Sequence, residues 1–461
     1  MRSAKSFLSA AEDVAFDFEH RKKIKFNIGK YDSAVEKGKS RYKNLELAKF
    51  RAAKIKREVV EKLPELLIQF ETSIKKNGAE VYWADDALDA VNIAVHFAAE
   101  ADAKTLVKSK SMITEEIELN EHLEKNGIEA VETDLGEFIV QVAGERPYHI
   151  VTPAMHKSKE DVAELFHKHF DTPLNYTPQE LTLFVRKYLR EKFLNADVGV
   201  NGANFLIAKE GAVAVTENEG NALLSASMPK LHIVIAGIEK ILPSIDDLDL
   251  FWPLLAVHGT GQQITVYNNL FFGPKKENEK DGPEKMIVIL VDNGRTKLYE
   301  DNVVREALSC IRCGACLNGC PVYKNIGGYT YNTTYSGPIG AVITPHLKDF
   351  KEFKHLSFAS TLCGKCVEVC PVKIPLTELL LHNRALANEM DLTPAKEKAA
   401  LSTSTFFLLH RKLLDFVNGK VKTVFFNMVN DMVFGKKRKL KEFPKKSFNK
   451  QWEEKRFTDK T

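Results

Sequence analysis

Cys310–Pro321 reads CIRCGACLNGCP, and Ser360–Pro371 reads STLCGKCVEVCP. The first stretch carries Cys310, Cys313, Cys316 and Cys320, with Pro321 directly after the last. The second repeats the phrase with Ser360 where the first has Cys310, followed by Cys363, Cys366, Cys370 and Pro371. The run C-x2-C-x2-C-x3-C-P is the spacing of bacterial ferredoxin-type iron–sulfur sites. Its first three thiolates wrap three corners of one cubane. The extra residue and the proline carry the fourth away to the other cluster. Zinc is the alternative metal for C-x2-C pairs, but zinc sites use two separated pairs. All seven cysteines fall between positions 310 and 370. Disulfide frameworks belong to small secreted chains, and clustered thiols in a chain of 461 residues point to metal instead.

The crossover assigns Cys310, Cys313, Cys316 and Cys370 to a first cluster, and Cys320, Cys363 and Cys366 to a second. The second set is one thiolate short. A serine oxygen is a harder and more basic ligand than thiolate, so three readings are open. The cluster is 4Fe–4S with Ser360 or water on the fourth iron, or it is 3Fe–4S, or its open iron meets a substrate or partner group. Against all three stands the plain reading that Ser360 caps the following turn. Arg312 and Lys365 sit beside ligand cysteines and would offset cluster charge, with a solvated face as the default for each.

Composition bounds the rest. Hydrophobic residues make up 44% and charged residues 28%, which suits a globular chain with a sizeable core. A formal net charge of +4 does not indicate a nucleic-acid binder. No apolar run is long enough to span a bilayer, and the N-terminus, MRSAKSFLSAAEDVAFDFEHRKKIKF, lacks an apolar signal core. The expectation is a soluble cytoplasmic protein.

Residues 40–80 show apolar residues at helical intervals up to Gly78. Helical segments (AVNIAVHFAAEA, ITEEIELNEHLEKNG) then alternate with strand candidates KTLVKS, IEAVETD, GAVAVTE, LHIVIAG and KMIVILVD. Such alternation predicts a mostly parallel sheet covered by helices. Two glycine-rich stretches, Val198–Leu224 and His258–Pro274, read as turns, with admission of an anion by their backbone N–H groups as the less favoured alternative. Neither matches a dinucleotide fingerprint or a P-loop. His258 reads as structural, and Glu217 and Glu219 as solvated loop acids in preference to nucleophiles or bases. No catalytic residue is assigned. From about Pro375 the chain reads as helical, ending in the basic tail GKKRKLKEFPKKSFNKQWEEKRFTDKT. That tail suits an acidic partner or peripheral contact with a membrane surface, or is simply solvated. The expected organisation is an N-terminal extension (1–39), an α/β domain (40–295), a mainly helical ferredoxin-type domain (296–390) and a helical C-terminal region with the basic tail (391–461).

The paired cysteine motifs, the intervening YSGPIGAVITPHL and the upstream NGANFLIAKEGAVAVTENEGN together resemble the lactate-utilisation iron–sulfur protein B family (LutB), over nearly the whole chain. The cysteine motifs alone are shared with many electron-transfer proteins. Their combination with this α/β region is far more specific. The resemblance implies a LUD domain of the CoA-transferase and sugar-isomerase-like kind, followed by a helical ferredoxin domain with two 4Fe–4S clusters. It implies electron carriage in the oxidation of L-lactate to pyruvate, together with a cysteine-rich LutA-like subunit and a LUD-domain LutC-like subunit. The electron acceptor is unknown. Two other classes stay open. One is a self-contained oxidoreductase acting on a small acid through the LUD-like domain and an open-site cluster. The other is a structural use of clusters in a regulatory or nucleic-acid protein.

Overall fold

The computed structural model describes residues 2–434 and 440–458. Among the described residues there are ten strands: β1 (Glu80–Ala84), β2 (Thr105–Lys108), β3 (Glu129–Glu132), β4 (Val198–Asn201), β5 (Phe205–Ile207), β6 (Ala212–Glu217), β7 (Leu231–Gly237), β8 (Ile241–Leu242), β9 (Tyr267–Phe271) and β10 (Lys285–Val291). Six of them form a sheet in the order β1-β10-β7-β4-β2-β3, with every neighbouring pair parallel. Parallel strands between two helical layers bury both faces, so they read as continuous apolar runs. LHIVIAG of β7 is buried at every position, and KMIVILV of β10 at all but its first. Helix Ala87–Glu100 packs on β1 and β10. It starts at Asp86, whose carboxylate accepts the N–H groups of Leu88 and Asp89.

The remaining strands form a second sheet, β8-β5-β6-β9, in which β5–β6 and β6–β9 are antiparallel and β5–β8 is parallel. This corrects the expectation of turns. Val198–Leu224 contains β4, β5 and β6, and His258–Pro274 contains β9. GAVAVTE is a strand as expected, but it lies in the mixed sheet and not in the parallel one. The reason is length. Strands of three or four residues, some buried at every position, show no alternation to read. His258 lies in helix Leu248–Thr260, 1% exposed, with Nδ1 2.9 Å from the Leu254 carbonyl oxygen.

The helical stretch before β1 is two helices, Leu45–Glu61 and Leu63–Lys76, which meet at Lys62 with Pro64 in the first turn of the second. ITEEIELNEHLEKNG is likewise split, into Met112–Glu116 and Leu119–Lys125, by Glu118 in the left-handed region at φ 55°. The N-terminal helices Arg2–Phe16 and Phe18–Lys39 send Phe7, Ile24 and Ile28 into one core with Leu308, Ile311, Leu317, Tyr323 and Val342 of the cysteine-bearing region. Residues 1–385 form one compact unit and 386–461 another. The second contains helices Ala395–Leu409, Arg411–Phe416, Gly419–Phe434 and Phe448–Thr458. Of the basic tail, residues 435–439 and 459–461 lie outside the described residues. No helix among the described residues is long and apolar enough to cross a membrane.

Candidate functional site

The two cysteine loops share one backbone path. Arg312 (φ 58°) and Gly314 (φ 78°) take left-handed conformations in the first loop, and Leu362 (φ 54°) and Gly364 (φ 81°) take them in the second. A short helix follows each, Ala315–Gly319 and Lys365–Glu368, and then the Cys–Pro pair. The Arg312 N–H donates to Cys310 Sγ at 3.4 Å, and the Leu362 N–H donates to Ser360 Oγ at 3.2 Å. Ser360 therefore makes the same local contact that Cys310 makes. The contact is a side-chain cap on its own turn, shared by both loops.

The thiols fall into two neighbourhoods. Cys313 and Cys316 lie within the electrostatic reach of Cys310 and Cys370. Cys366 lies within that of Cys320 and Cys363. The first four line a small cavity with Ile339, Ile374 and Leu376. Burial pushes the Cys370 thiol up to about 11, and pushes Cys313 and Cys316 up as well. Four crowded thiolates in that setting need a compensating positive centre, which ferric and ferrous iron supply. Backbone N–H groups aim at the sulfurs: Ile374 at Cys370 (3.4 Å), Ala315 at Cys313 and Ile339 at Cys316. Arg312 Nε and Nη1 are buried beside this cavity with no partner among the described residues. Donors of this kind stabilise charge on an iron–sulfur core, so the residues fit a cubane. The second neighbourhood is more open. Cys366 is buried, Cys320 is intermediate and Cys363 is exposed, where the Lys365 N–H lowers its thiol.

Arg312 is not on a solvated face. Its guanidinium stacks over Tyr335 at 4.4 Å, and Nη2 donates to Glu239 Oε1 at 3.3 Å. Glu239 Oε2 accepts from Arg295 Nε at 2.5 Å. Arg295 also donates to both oxygens of Glu116, at 2.9 and 2.8 Å, and Tyr335 donates to Glu116 Oε2 at 2.6 Å. Burial works against charge on Glu239, yet Arg295 and Arg312 hold its carboxyl well below the usual carboxylate range. The chain needs glycine at 237, because a Cβ there would meet Glu239 Oε2 at 2.2 Å and Arg295 Nε at 2.5 Å. Lys365, in contrast, is on a solvated face, 2.7 Å from Glu368.

A cavity of about 420 Å³ opens at the C-terminal edge of the parallel sheet, the position where open α/β sheets bind ligands. The residues after β2 (Ser109, Lys110, Ser111), after β4 (Gly202, Asn204) and after β7 (Glu239, Lys240) line it. Ile150, Arg312 and Cys313 line both this cavity and the thiol cavity, and so form the wall between them. Glu217 also lines it. This residue is not a free loop acid, since it accepts N–H groups from Ala222 (2.7 Å) and Leu223 (2.9 Å) and from Asn269 Nδ2 (3.0 Å), and burial raises its carboxyl. Glu219, at the exposed mouth, accepts the Leu135 N–H at 3.0 Å. Reading the sequence missed Glu116, Glu239, Lys240 and Arg295. The one available signal was charge placed directly after the buried strand LHIVIAG, where side chains turn into the crevice.

Comparison with known proteins agrees with this anatomy. Residues 67–291 match the LUD domain, and residues 306–374 match the 4Fe-4S dicluster domain. Sheet, cavity and thiol loops thus belong to an iron–sulfur protein in which a LUD domain precedes a dicluster domain. The relatives narrow the class. Lactate utilization protein B of Anoxybacillus flavithermus is 41% identical over 404 residues, covering 82% of this chain and 85% of its own. That of Bacillus pumilus is 44% identical over 349 residues, covering 75% and 73%. The uncharacterized electron transport protein YkgF of Escherichia coli is 41% identical over 360 residues, covering 78% and 76%. The chain belongs to the lactate utilization protein B family.

Proposed function

We propose that this protein is the iron–sulfur electron carrier of a multi-subunit system that oxidises L-lactate to pyruvate, allowing growth on lactate. It holds two 4Fe–4S clusters. Cys310, Cys313, Cys316 and Cys370 bind the first, and Cys320, Cys363 and Cys366 bind the second, with Ser360 beside the fourth iron. The single observation that carries this reading is the gradient between the two thiol neighbourhoods. One is enclosed behind Arg312 and next to the sheet-edge cavity, and the other ends at an exposed Cys363. An enclosed centre joined to an exposed one suits passage of electrons from the interior to a docked protein. Oxidation of lactate to pyruvate releases two electrons and two protons, and two clusters that each take one electron can divide the pair. Hydride or proton chemistry on lactate is assigned to the partner side, to a cysteine-rich LutA-like subunit and a LutC-like LUD subunit.

The test is anaerobic dye reduction driven by L-lactate. The purified chain alone is expected to show little or no turnover, and adding the two partner subunits is expected to restore it. Robust turnover by the single chain would overturn the carrier reading in favour of a self-contained oxidoreductase.

A further inference from the structure

The cavity at the sheet edge carries several hydrogen-bond donors that meet no acceptor among the described residues. Four acids line it: Glu239 is engaged with Arg295 and Arg312, Glu217 with three N–H groups, Asp134 with the N–H groups of Gly136 and Glu137, and Glu219, at the mouth, with the Leu135 N–H. Arg295 spends four of its five N–H groups on Glu116, Glu239 and the Asp292 carbonyl. Lys240 is different. Its ammonium makes no hydrogen bond or ion pair among the described residues, although it lines the cavity. Lys110 Nζ uses one donor, on the Val151 carbonyl at 2.7 Å. Ser109 and Ser111 are only 3% and 6% exposed, and their hydroxyls bond to no described residue. Gly202 brings the β4 end close to this turn, so that a Cβ there would stand 2.3 Å from Ser111 Oγ. A half-enclosed site with a free ammonium, a second cation and two free hydroxyls selects an anion.

We propose that this cavity binds a small organic carboxylate, held by Lys240 and the Ser109–Lys110–Ser111 turn, one wall away from the first cluster. A carboxylate offers two oxygens and a single charge, which one ammonium and neighbouring hydroxyls match. Ala203, Ala222, Ala236 and Leu255 give its carbon skeleton apolar surface. Phosphate sites at such edges draw instead on glycine-rich backbone at a helix N-terminus. The turns after β2 and β7 present side chains. The site goes beyond the carrier reading and depends on it only through the wall of Ile150, Arg312 and Cys313, where bound charge would be felt by the iron.

The experiment is calorimetric titration of the anaerobic holoprotein with L-lactate, pyruvate, oxalate and inorganic phosphate, in parallel with EPR of the reduced clusters. At least one of the carboxylates is expected to bind more tightly than phosphate. Lys240→Gln is expected to weaken it by about tenfold or more, the usual scale for losing a charged partner, with iron content unchanged. Ser111→Ala should weaken it by less, and it guards against a folding defect in the lysine variant. Bound carboxylate should also shift one cluster signal and not the other. Failure of every carboxylate to bind at millimolar concentration would overturn the proposal. So would phosphate binding as tightly as the best carboxylate, or parent-like binding in both variants. Lysine-dependent binding with unmoved iron signals would keep the site and count against placing a cluster at Cys310–Cys370.

Discussion

Ser360 matches Cys310 in spacing and in the N–H it accepts, so the second loop presents an oxygen where the first presents a sulfur. Thiolate binds iron more covalently than a neutral hydroxyl, which should leave that corner labile. Ser360→Cys is expected to give a second cluster that resists air and has a shifted potential, while Ser360→Ala still assembles one. Both are read by following cubane and three-iron EPR signals during air exposure. A Ser360→Ala protein without the second cluster would show serine to be an essential ligand. A Ser360→Cys protein identical to the parent would show that residue 360 faces away from iron. His232 on β7 carries a second prediction. It is 1% exposed with Nε2 unpartnered, and burial pulls it down to about 3 from an ordinary 6.5. Between those values the unfolded chain binds a proton that the folded chain does not, so stability falls as pH drops through 6.5 toward 3. The contribution lost between pH 7 and pH 5 is about 2 kcal/mol. In anaerobic urea unfolding, His232→Leu should lose about that much less than the parent over the same interval. Equal losses would show the ring to be solvated or paired in the folded state.

At the scale of elements, the two cysteine loops are expected to exchange ligands. The Pro321 and Pro371 turns send Cys320 and Cys370 away from the three positions before them, and Cys370 neighbours Cys310 and Cys313 while Cys320 neighbours Cys363 and Cys366. Cys370→Ser should therefore damage the cluster of Cys310, Cys313 and Cys316, although it lies in the other loop. Loss of only the Cys363–Cys366 cluster signal would show that each loop binds its own metal. The loops were legible because ligand spacing is written in consecutive residues, and β7 and β10 because two-sided burial forces long apolar runs. β5 and β8 were not legible, since two or three fully buried residues hold no period, and neither was β9, whose five exposed and half-buried residues do not alternate. The ion network was hidden for another reason. Glu116, Glu239, Arg295 and Arg312 are scattered over nearly 200 positions, and only the parallel sheet brings them together.

For the whole molecule, sheet and cluster region act as one unit because a buried salt-bridged chain runs from Glu116 through Arg295 and Glu239 to Arg312 beside Cys310. Removing one partner of such a chain leaves an uncompensated buried charge, which links the integrity of the sheet edge to that of the cysteine loop at Cys310. The central claim is that the chain carries two inequivalent iron–sulfur clusters, one enclosed and one open to the surface. An anaerobic potentiometric titration followed by EPR, with iron and sulfide counted on the same sample, tests it most directly. The expected result is iron and sulfide for two clusters and two separate reduction waves, of which Ser360→Cys moves only one. A single wave with iron for one cluster, or thiols filled by zinc with no acid-labile sulfide, would contradict it.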